Sequence, residues 1–231
     1  MSAIVVIPTY NEKDNIKILI AEILQTNPDI HVLVVDDQSP DGTAQIVQEL
    51  CRGSSRVHLI VRTGNRGIGL ADLDGFRYAI KNGFDVVFTM DADFSHDPKY
   101  IPQFLIAIKN HDVVIGSRLI KGGKCIRKNR LKNMASSMAN LYIRCLLGMA
   151  IKDWTSGFRC YRKDVLASLP LEKMVSRGPS LFEEILFACL KRRYDILELP
   201  IIFIDRTKGQ SKIDLRELID TLITVLKIRF R

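Results

Sequence analysis

Short apolar runs alternate with amphipathic stretches along the first half of the chain. The apolar runs predict strands over residues 3–7, 31–35, 57–61, 85–90 and 112–115. Apolar residues at helical spacing predict helices over residues 13–25, from Thr43 onward, and over 70–81 and 100–109. Strands and helices that alternate in this order predict right-handed crossovers and an α/β fold, with a mostly parallel, Rossmann-like sheet flanked by helices.

The second half of the chain is less regular. A basic, glycine-containing loop is predicted over residues 119–130, followed by a helix over 131–147. A strand is predicted over 158–161, a helix over 181–191, an extended segment over 196–204 and a terminal helix over 213–228. No linker rich in Pro, Gly or Ser and no internal repeat interrupts the 231 residues, so a single domain is expected.

Three polar segments follow directly after predicted strands: residues 8–12, 36–43 and 91–93. Because the carboxyl ends of parallel strands meet at one edge of a sheet, where such sheets bind ligands, these segments are expected to form one site. Each also has a simpler interpretation, with Asp41 or Thr43 as a helix cap and Tyr10 as a packed aromatic side chain. Residues 64–69 contain three glycines, but Asp72 stands where a dinucleotide motif has its third glycine. A loop that covers a nucleotide is therefore favoured over an NAD site.

Asp91 and Asp93 carry the most specific chemistry in the sequence. Two carboxylates this close repel each other unless a cation lies nearby. They follow an apolar strand, and their hard oxygens favour Mg²⁺ or Mn²⁺. The coordination of such an ion is usually completed by substrate phosphates. Ser95 and His96 are candidates for a weak further ligand or for a contact behind the ligands. The alternative is a solvated acidic turn without a metal.

The positive charge of the chain is concentrated in two segments. The formal net charge is +8; residues 118–132 contain seven cations and no acid, and residues 206–231 contain seven cations and three acids. This distribution favours phosphate-bearing ligands or an anionic membrane surface. Nucleic acid and a plain solvated surface are the alternatives.

Composition excludes several classes of protein. Hydrophobic residues make up 47% and charged residues 26%, which argues against disordered, collagen-like and coiled-coil structure. The five cysteines are scattered, without a C-x-x-C pair, so a reduced, cytoplasmic compartment is expected. A membrane span needs about 20 apolar residues, and no run reaches that length. The predicted terminal helix has an apolar stripe with Arg216, Lys227, Arg229 and Arg231 beside it, which suits either an anionic membrane surface or packing on the core.

Several motifs, taken in order, resemble family 2 glycosyltransferases. They are Pro8-Thr9-Tyr10-Asn11-Glu12, Asp36-Asp37 with Ser39-Pro40-Asp41-Gly42-Thr43, and Asp91-Ala92-Asp93. Further motifs are similar to the dolichol-phosphate mannose synthase branch, which makes polyprenyl-phosphate sugars. These are Gly116-Ser117-Arg118, Ser156-Gly157-Phe158-Arg159 and the segment from Arg206 to Lys212.

The resemblance implies a GT-A fold and an inverting hexose transfer, with mannose from GDP-mannose as the expected donor sugar and dolichyl or polyprenyl phosphate as the acceptor. It divides the domain into a nucleotide-sugar-binding half (1–117), an acceptor-binding half (118–212) and a C-terminal amphipathic helix (213–231). The implied partners are a membrane surface and, as a further candidate, a separate membrane-anchoring protein, but no nucleic acid. The expected location is peripheral, on the cytoplasmic face of a membrane.

The resemblance also implies roles for individual residues. The nucleoside would lie against Pro8, Tyr10, Glu12, Val35 and Asp37. The Mg²⁺ or Mn²⁺ ion and the donor diphosphate would lie at Asp91, Ala92 and Asp93. Ser95 would be the third metal ligand where some relatives have Gln, with water as the alternative. The acceptor phosphate would meet Arg118, Ser136 and either Arg130 or Lys132, with Arg206 and Lys212 closing over both phosphates. The implied catalytic set is Asp91, Asp93, Arg118 and Lys132.

Other functions stay open at this point. A family 2 enzyme with another sugar nucleotide, such as UDP-glucose, and a hydroxyl acceptor would need a general base, for which Glu183 and Glu184 are candidates. A non-enzymatic nucleotide- or RNA-binding module would leave the pair of Asp91 and Asp93 without a purpose. A nucleotidyltransferase is disfavoured, because residues 8–12 replace its glycine-rich first loop.

Overall fold

The fold was analysed in a computed structural model that describes residues 1–126, 130–205 and 215–230, except the side chains of 130–133, 135 and 215–220. The strands are β1 (Ala3–Thr9), β2 (Ile30–Asp36), β3 (Val57–Val61), β4 (Val86–Thr89), β5 (Val113–Ser117), β6 (Lys124–Ile126), β7 (Arg159–Arg162), β8 (Ile196–Pro200) and β9 (Ile202–Ile204). The helices are α1 (Ile16–Thr26), α2 (Thr43–Gly53), α3 (Ile68–Lys81), α4 (Ile101–Ala107), α5 (Arg130–Leu147), α6 (Lys163–Ser168), α7 (Leu181–Lys191) and α8 (Leu215–Arg229). Short 3₁₀ turns lie at Pro98–Tyr100 and Leu171–Lys173.

Seven strands form one sheet in the order β3-β2-β1-β4-β7-β5-β8. Strand β7 runs antiparallel to β4 and β5, and the other neighbouring pairs are parallel. The chain moves outward from β1 to β3 and then returns to place β4 on the other side of β1. The topological switch point therefore lies between β1 and β4, where open α/β sheets bind their ligands.

Both faces of the sheet are covered, which explains why the strands read as continuous apolar runs. In β1, Ile4 and Val6 face one apolar cluster, while Val5 and Ile7 face the other. Helix α3 lies very close to the first face: a Cβ atom on Gly75 would come within 2.3 Å of Val6 Cγ1. Glycine at this position, midway along α3, lets the helix pack directly against β1.

The predicted mostly parallel α/β sheet and the extended segment 196–204 are confirmed, while the loop predicted over 119–130 is wrong in part. The extended segment 196–204 is two strands, because Ile201 turns into the core and its N–H donates to Ser117 O at 3.0 Å. Strand β8 pairs with β5, whereas β9 pairs with β6 in a separate two-stranded parallel sheet. Strand β6 lies within the segment that was predicted to be a loop, since its three residues are too few for a periodic signal.

Candidate active site at the carboxyl edge of the sheet

The three polar segments after β1, β2 and β4 meet at the switch point, as expected. The first two contain one non-glycine residue each in the left-handed backbone region, Asn11 (φ 60°) and Gln38 (φ 58°), and Phe94 (φ 62°) directly follows the third. Such residues are uncommon, and they persist where the surrounding structure enforces them, often at functional sites. We call residues 8–12, 36–43, 62–67 and 91–96 the donor edge.

Hydrogen bonds join the first two segments of the donor edge. The Asp36 carboxylate is fully buried and accepts bonds from Thr9 Oγ1 at 2.8 Å and from Ser39 Oγ at 2.6 Å. The Asn11 N–H donates to Ser39 Oγ at 2.9 Å, and the Glu12 N–H donates to Thr43 Oγ1 at 3.0 Å. Asp36 therefore fixes the two loops, whereas its neighbour Asp37 is the residue predicted to contact the nucleoside.

Asp37 lies between β2 and the loop that leads into α3. It forms an ion pair with Arg62 and accepts a hydrogen bond from the Gly67 N–H at 2.8 Å. The same guanidinium of Arg62 also binds Asp74 through Nε at 2.8 Å. Sequence reasoning missed Arg62, although a cation directly after a predicted strand was visible.

Tyr10 and Arg66 form a second contact that sequence reasoning missed. The Arg66 guanidinium lies over the Tyr10 ring, 4.4 Å from its centroid, and Nη1 donates to the phenolic oxygen at 2.6 Å. Of the remaining residues predicted to hold the nucleoside, Pro8 and Val35 are register partners in β1 and β2, and Glu12 accepts a hydrogen bond from Asn15 Nδ2 at 2.9 Å. The structure thus brings these five residues to one edge, while their contact with a nucleoside stays a prediction.

The paired carboxylates follow β4. Asp91 is partly exposed and packs against Gly157, where a Cβ atom would lie 3.5 Å from Asp91 Oδ1. Asp93 is mostly buried and accepts the Ser95 N–H on Oδ1 at 3.0 Å. Ala92 between them is buried. The turn thereby holds both carboxylates beside the switch point.

His96 supports this turn from behind. Its Nδ1 accepts the Asp91 N–H at 3.2 Å, and its ring stacks on Phe158. Burial lowers the pKa of His96, although the charges of Asp91 and Asp93 act in the opposite direction. The lowered pKa favours the neutral ring, and only a neutral ring can accept this hydrogen bond on Nδ1. Two roles were predicted for His96, and the structure shows the supporting one, a hydrogen bond to the backbone of Asp91.

The oxygen atoms of the turn fit a hard divalent cation. Two carboxylates suit Mg²⁺ or Mn²⁺, and the Ser95 hydroxyl is buried with no hydrogen-bond partner among the described residues. Across the described part of the chain, no three His, Cys, Asp or Glu side chains group together as a complete metal site. Asp91, Asp93 and Ser95 are the residues that would hold the cation, and substrate phosphates usually complete such sites. Metal ligation by Asp91, Asp93 and Ser95 stays a prediction.

Arg118, predicted to meet a phosphate, is held by a buried ion pair within the protein. Its guanidinium binds the fully buried Asp153 carboxylate through Nε at 2.7 Å and Nη2 at 2.6 Å, and Nη2 also donates to Thr155 Oγ1 at 2.7 Å. Burial disfavours both charges, but the pairing outweighs it, so the pKa of Asp153 lies below and that of Arg118 above its ordinary value. Arg118 thus fixes the turn that begins at Asp153, and its contact with a phosphate stays a prediction. Sequence reasoning missed this partner, which lies 35 residues away along the chain.

The predicted acceptor residues are only partly described. Arg130 and Lys132 lie in the first turn of α5 but their side chains, and the whole of Arg206 and Lys212, fall outside the described residues. Ser136 lies on α5 and is half-buried. Their assignment to the acceptor phosphate stays a prediction.

The two candidate bases for a hydroxyl acceptor are buried in α7. The Glu184 carboxylate accepts the backbone N–H groups of Val175 and Ser176 at 2.9–3.0 Å. Burial raises the pKa of Glu183 from 4.5 to about 7, which the charge of the buried Arg159 opposes. The Glu184 side chain holds the segment before α7 in place, and neither carboxylate lies on an open surface.

Polar segments at the switch point of a doubly wound sheet define an α/β enzyme with its ligand site at the carboxyl ends of the strands. The family model for glycosyl transferase family 2 matches residues 4–169, and the chain belongs to that family. It is a glycosyltransferase.

Two curated relatives extend the match over most of the chain. One is the undecaprenyl-phosphate mannosyltransferase of Micrococcus luteus, 37% identical over 92% of this chain and 87% of the relative. The other is the polyprenol monophosphomannose synthase of Mycolicibacterium smegmatis, 37% identical over 90% of this chain and 80% of the relative.

Solved structures confirm the fold. Glucosyl-3-phosphoglycerate synthase from Mycobacterium tuberculosis, in complex with Mn²⁺, UDP and glucosyl-3-phosphoglycerate, is similar with a TM-score of 0.73. It is 18% identical, and the match covers 99% of this chain and 80% of that one. The same synthase with Mg²⁺ and UDP gives a TM-score of 0.72 at 17% identity, over 99% of this chain and 79% of that one.

Proposed function

We propose that this glycosyltransferase transfers mannose from GDP-mannose to a polyprenyl phosphate and thereby forms a lipid-linked phosphosugar. The observation that carries the proposal is the 37% identity, over about nine tenths of the chain, to two enzymes named for mannose transfer to undecaprenyl phosphate or polyprenol monophosphate. The geometry of the donor edge supports it, because the predicted nucleoside and diphosphate residues converge at the switch point.

The donor edge binds the sugar nucleotide. Tyr10 and Asp37 contact the nucleoside, and Asp91 and Asp93 hold a divalent cation, Mg²⁺ or Mn²⁺, at the diphosphate. When bound, the cation neutralises charge that develops on the leaving nucleoside diphosphate. His96 and Gly157 keep Asp91 in position through the contacts described above.

The acceptor is a phosphate monoester, whose oxygen attacks the anomeric carbon while the bond to the nucleoside diphosphate breaks, with inversion. A hydroxyl acceptor needs a general base, but a phosphate monoester has a second pKa of about 6 and is largely dianionic at neutral pH. Glu183 and Glu184, the candidate bases, are both buried. The basic segment 118–132 supplies cations and no acid. We therefore assign the acceptor phosphate to Arg130 or Lys132 with Ser136, and Arg206 and Lys212 to closure over the phosphates.

The lipid acceptor requires contact with a membrane, and helices α5 and α8 offer a surface for it. The two helices pack together, and Tyr142 Oη donates to Leu222 O at 3.2 Å. Both expose apolar side chains, which we call the apolar face: Met134, Met138 and Leu141 on α5, and Ile223, Leu226 and Phe230 on the α8 side. Lys227 and Arg229 are exposed beside it and suit anionic headgroups.

Among the described residues, no helix combines the length and apolarity that crossing a bilayer requires. We propose that the apolar face rests on the bilayer that contains the acceptor, on its cytoplasmic side. A separate anchoring protein stays a prediction without a structural observation.

A transfer assay tests the proposed reaction. The protein is incubated with Mg²⁺ or Mn²⁺, with radiolabelled GDP-mannose or UDP-glucose, and with polyprenyl phosphate or the unphosphorylated polyprenol. Label is expected to enter the organic phase only with GDP-mannose and polyprenyl phosphate. Transfer to polyprenol refutes the phosphate as the proposed acceptor. Transfer from UDP-glucose but not from GDP-mannose refutes the proposed donor.

Vesicle flotation tests the apolar face. Met138→Glu places a charge on that face and is expected to reduce flotation with anionic vesicles. Ile106→Glu is the matched control, because Ile106 is 67% exposed, comparable to Met138 at 65%, but lies on α4. Equal flotation of wild type and both variants, or equal loss in both variants, argues against docking through α5 and α8.

A further inference from the structure

The loop that joins β3 to α3, residues 62–67, is fixed at three points and carries the exposed Arg66. The Arg62 N–H donates to Asp36 O at 2.9 Å, Gln38 Nε2 donates to Gly64 O at 3.3 Å, and the Gly67 N–H donates to Asp37 Oδ2 at 2.8 Å. All three contacts join the loop to the end of β2, beside the predicted nucleoside site. The Arg66 side chain contacts Tyr10, which lies at the end of β1.

The two arginines of this loop differ in their partners. Arg62 is shared between Asp37 and Asp74. Arg66 is exposed, and among the described residues no carboxylate oxygen lies within 4 Å of its guanidinium nitrogens. The guanidinium hydrogen-bonds the Tyr10 hydroxyl and lies over the Tyr10 ring. An exposed contact of this type contributes about 0.5–1 kcal/mol, so a ligand can displace it at small cost. Arg66 is thus a cation beside the predicted nucleoside site, and its N–H donors are available to a ligand.

The geometry of the contact indicates what would replace it. A planar guanidinium lies on the Tyr10 ring, 4.4 Å from its centroid, and a nucleobase is a planar group that stacks on aromatic rings in the same way. The base can therefore take the place of the guanidinium on Tyr10. Gly64 has φ +116°, a backbone region closed to most side chains, and its missing Cβ lets the loop adjust while Asp37 holds Gly67.

We propose that Arg66 reads the nucleobase of the donor and makes the site selective for guanosine. A base that stacks on Tyr10 moves the guanidinium to the base edge, where its fork binds two acceptors at once. Guanine presents such a pair in O6 and N7, whereas in uracil the N3–H donor separates the acceptors O2 and O4, so no two acceptors are adjacent. This inference rests on the proposed function, since it explains a preference for GDP-mannose over a uridine sugar nucleotide.

Calorimetric binding of nucleotides tests the proposal without turnover. GDP, UDP and 7-deaza-GDP, which lacks N7, are titrated with Mn²⁺ into wild type, Arg66→Ala, Arg66→Lys and the control Arg52→Ala, an exposed arginine on α2. Arg66→Ala is expected to lower GDP affinity at least about fivefold and to leave UDP affinity unchanged. Arg66→Lys is expected to behave like Arg66→Ala, because it keeps the charge but loses the fork. Wild type is expected to bind 7-deaza-GDP more weakly than GDP, and Arg66→Ala to bind both alike.

The outcomes separate this inference from the proposed function. If wild type prefers GDP and Arg66→Ala binds it normally, or loses GDP and UDP affinity equally, Arg66 does not read the base and the donor assignment stands. Full GDP affinity in Arg66→Lys also refutes the inference, since charge alone would then suffice. A wild type that prefers UDP refutes the guanosine donor itself.

Discussion

The donor edge and the pair of helices α5 and α8 are built on opposite principles. At the donor edge, buried polar groups bind one another: Asp36 holds Thr9 and Ser39, and Asp37 holds Arg62. On α5 and α8, apolar side chains such as Met138 face outward. A water-soluble donor needs a preorganised polar site, and a lipid acceptor needs contact with a membrane. The difference between the two regions thus matches the different physical character of the two proposed substrates.

Removing one negative charge from the donor edge is the strongest test of this comparison. Asp93→Asn keeps the Oδ1 acceptor for the Ser95 N–H but loses the charge that would bind the cation. Turnover is expected to fall at least about a hundredfold, because the metal stabilises charge in the transition state. The melting temperature is expected to stay near that of wild type.

Asp97→Asn is the matched control for this variant. Asp97 lies four residues further on, and its Oδ1 accepts the Lys99 N–H at 2.9 Å in a similar way. It is expected to retain activity. Near-normal turnover in Asp93→Asn, measured with Mg²⁺ and with Mn²⁺, would contradict the metal role.

The ion pair between Arg118 and Asp153 distinguishes a structural arginine from a phosphate-binding one. Arg118→Met leaves the buried Asp153 carboxylate without its partner and is expected to lower the free energy of unfolding by about 3 kcal/mol. Chemical denaturation measures this loss. The double variant Arg118→Met/Asp153→Leu removes both charges and is expected to recover part of it. A stable Arg118→Met protein with weakened acceptor binding would instead restore the phosphate role implied by the resemblance.

Glu183 gives the interior beneath the site a pH dependence. Its folded-state pKa of about 7 lies above its ordinary 4.5, so the unfolded chain releases this proton first as pH rises. Its contribution to stability is therefore present below pH 4.5 and is lost as pH rises to about 7. Glu183→Gln removes that loss and is expected to be more stable than wild type at pH 8 by about 2 kcal/mol.

Denaturation of Glu183→Gln at pH 5 and pH 8 checks this prediction. The advantage over wild type is expected to be larger at pH 8. Glu172→Gln is a suitable control, because Glu172 is an exposed acid that pairs with Arg77. An equal effect of Glu183→Gln at both pH values would show that the carboxyl does not titrate in this range.

Sequence reasoning found the features that a single short segment encodes, and it missed contacts between distant segments. Strands β1 to β4 carry apolar runs, and the carboxylates of Asp91 and Asp93 follow one of them directly, so both were predictable. The pairing of Arg118 with Asp153 and the contact of Arg66 with Tyr10 join segments 35 and 56 residues apart. Such contacts depend on strand order and loop geometry, which local periodicity does not contain.

The smallest expected effect decides whether Ser95 belongs to the metal site. Its buried hydroxyl has no hydrogen-bond partner among the described residues, so the protein alone gains nothing from it. Ser95→Ala removes this unsatisfied group and is expected to leave the free energy of unfolding unchanged or raise it by up to about 1 kcal/mol.

If the hydroxyl is a metal ligand, Ser95→Ala needs an about threefold higher Mn²⁺ concentration for half-maximal turnover, as expected for a weak neutral ligand beside two carboxylates. Ser54→Ala, at the end of α2, provides a control serine outside the site. An unchanged Mn²⁺ requirement would assign the third position to water, because removing a true ligand cannot leave the metal affinity as it was.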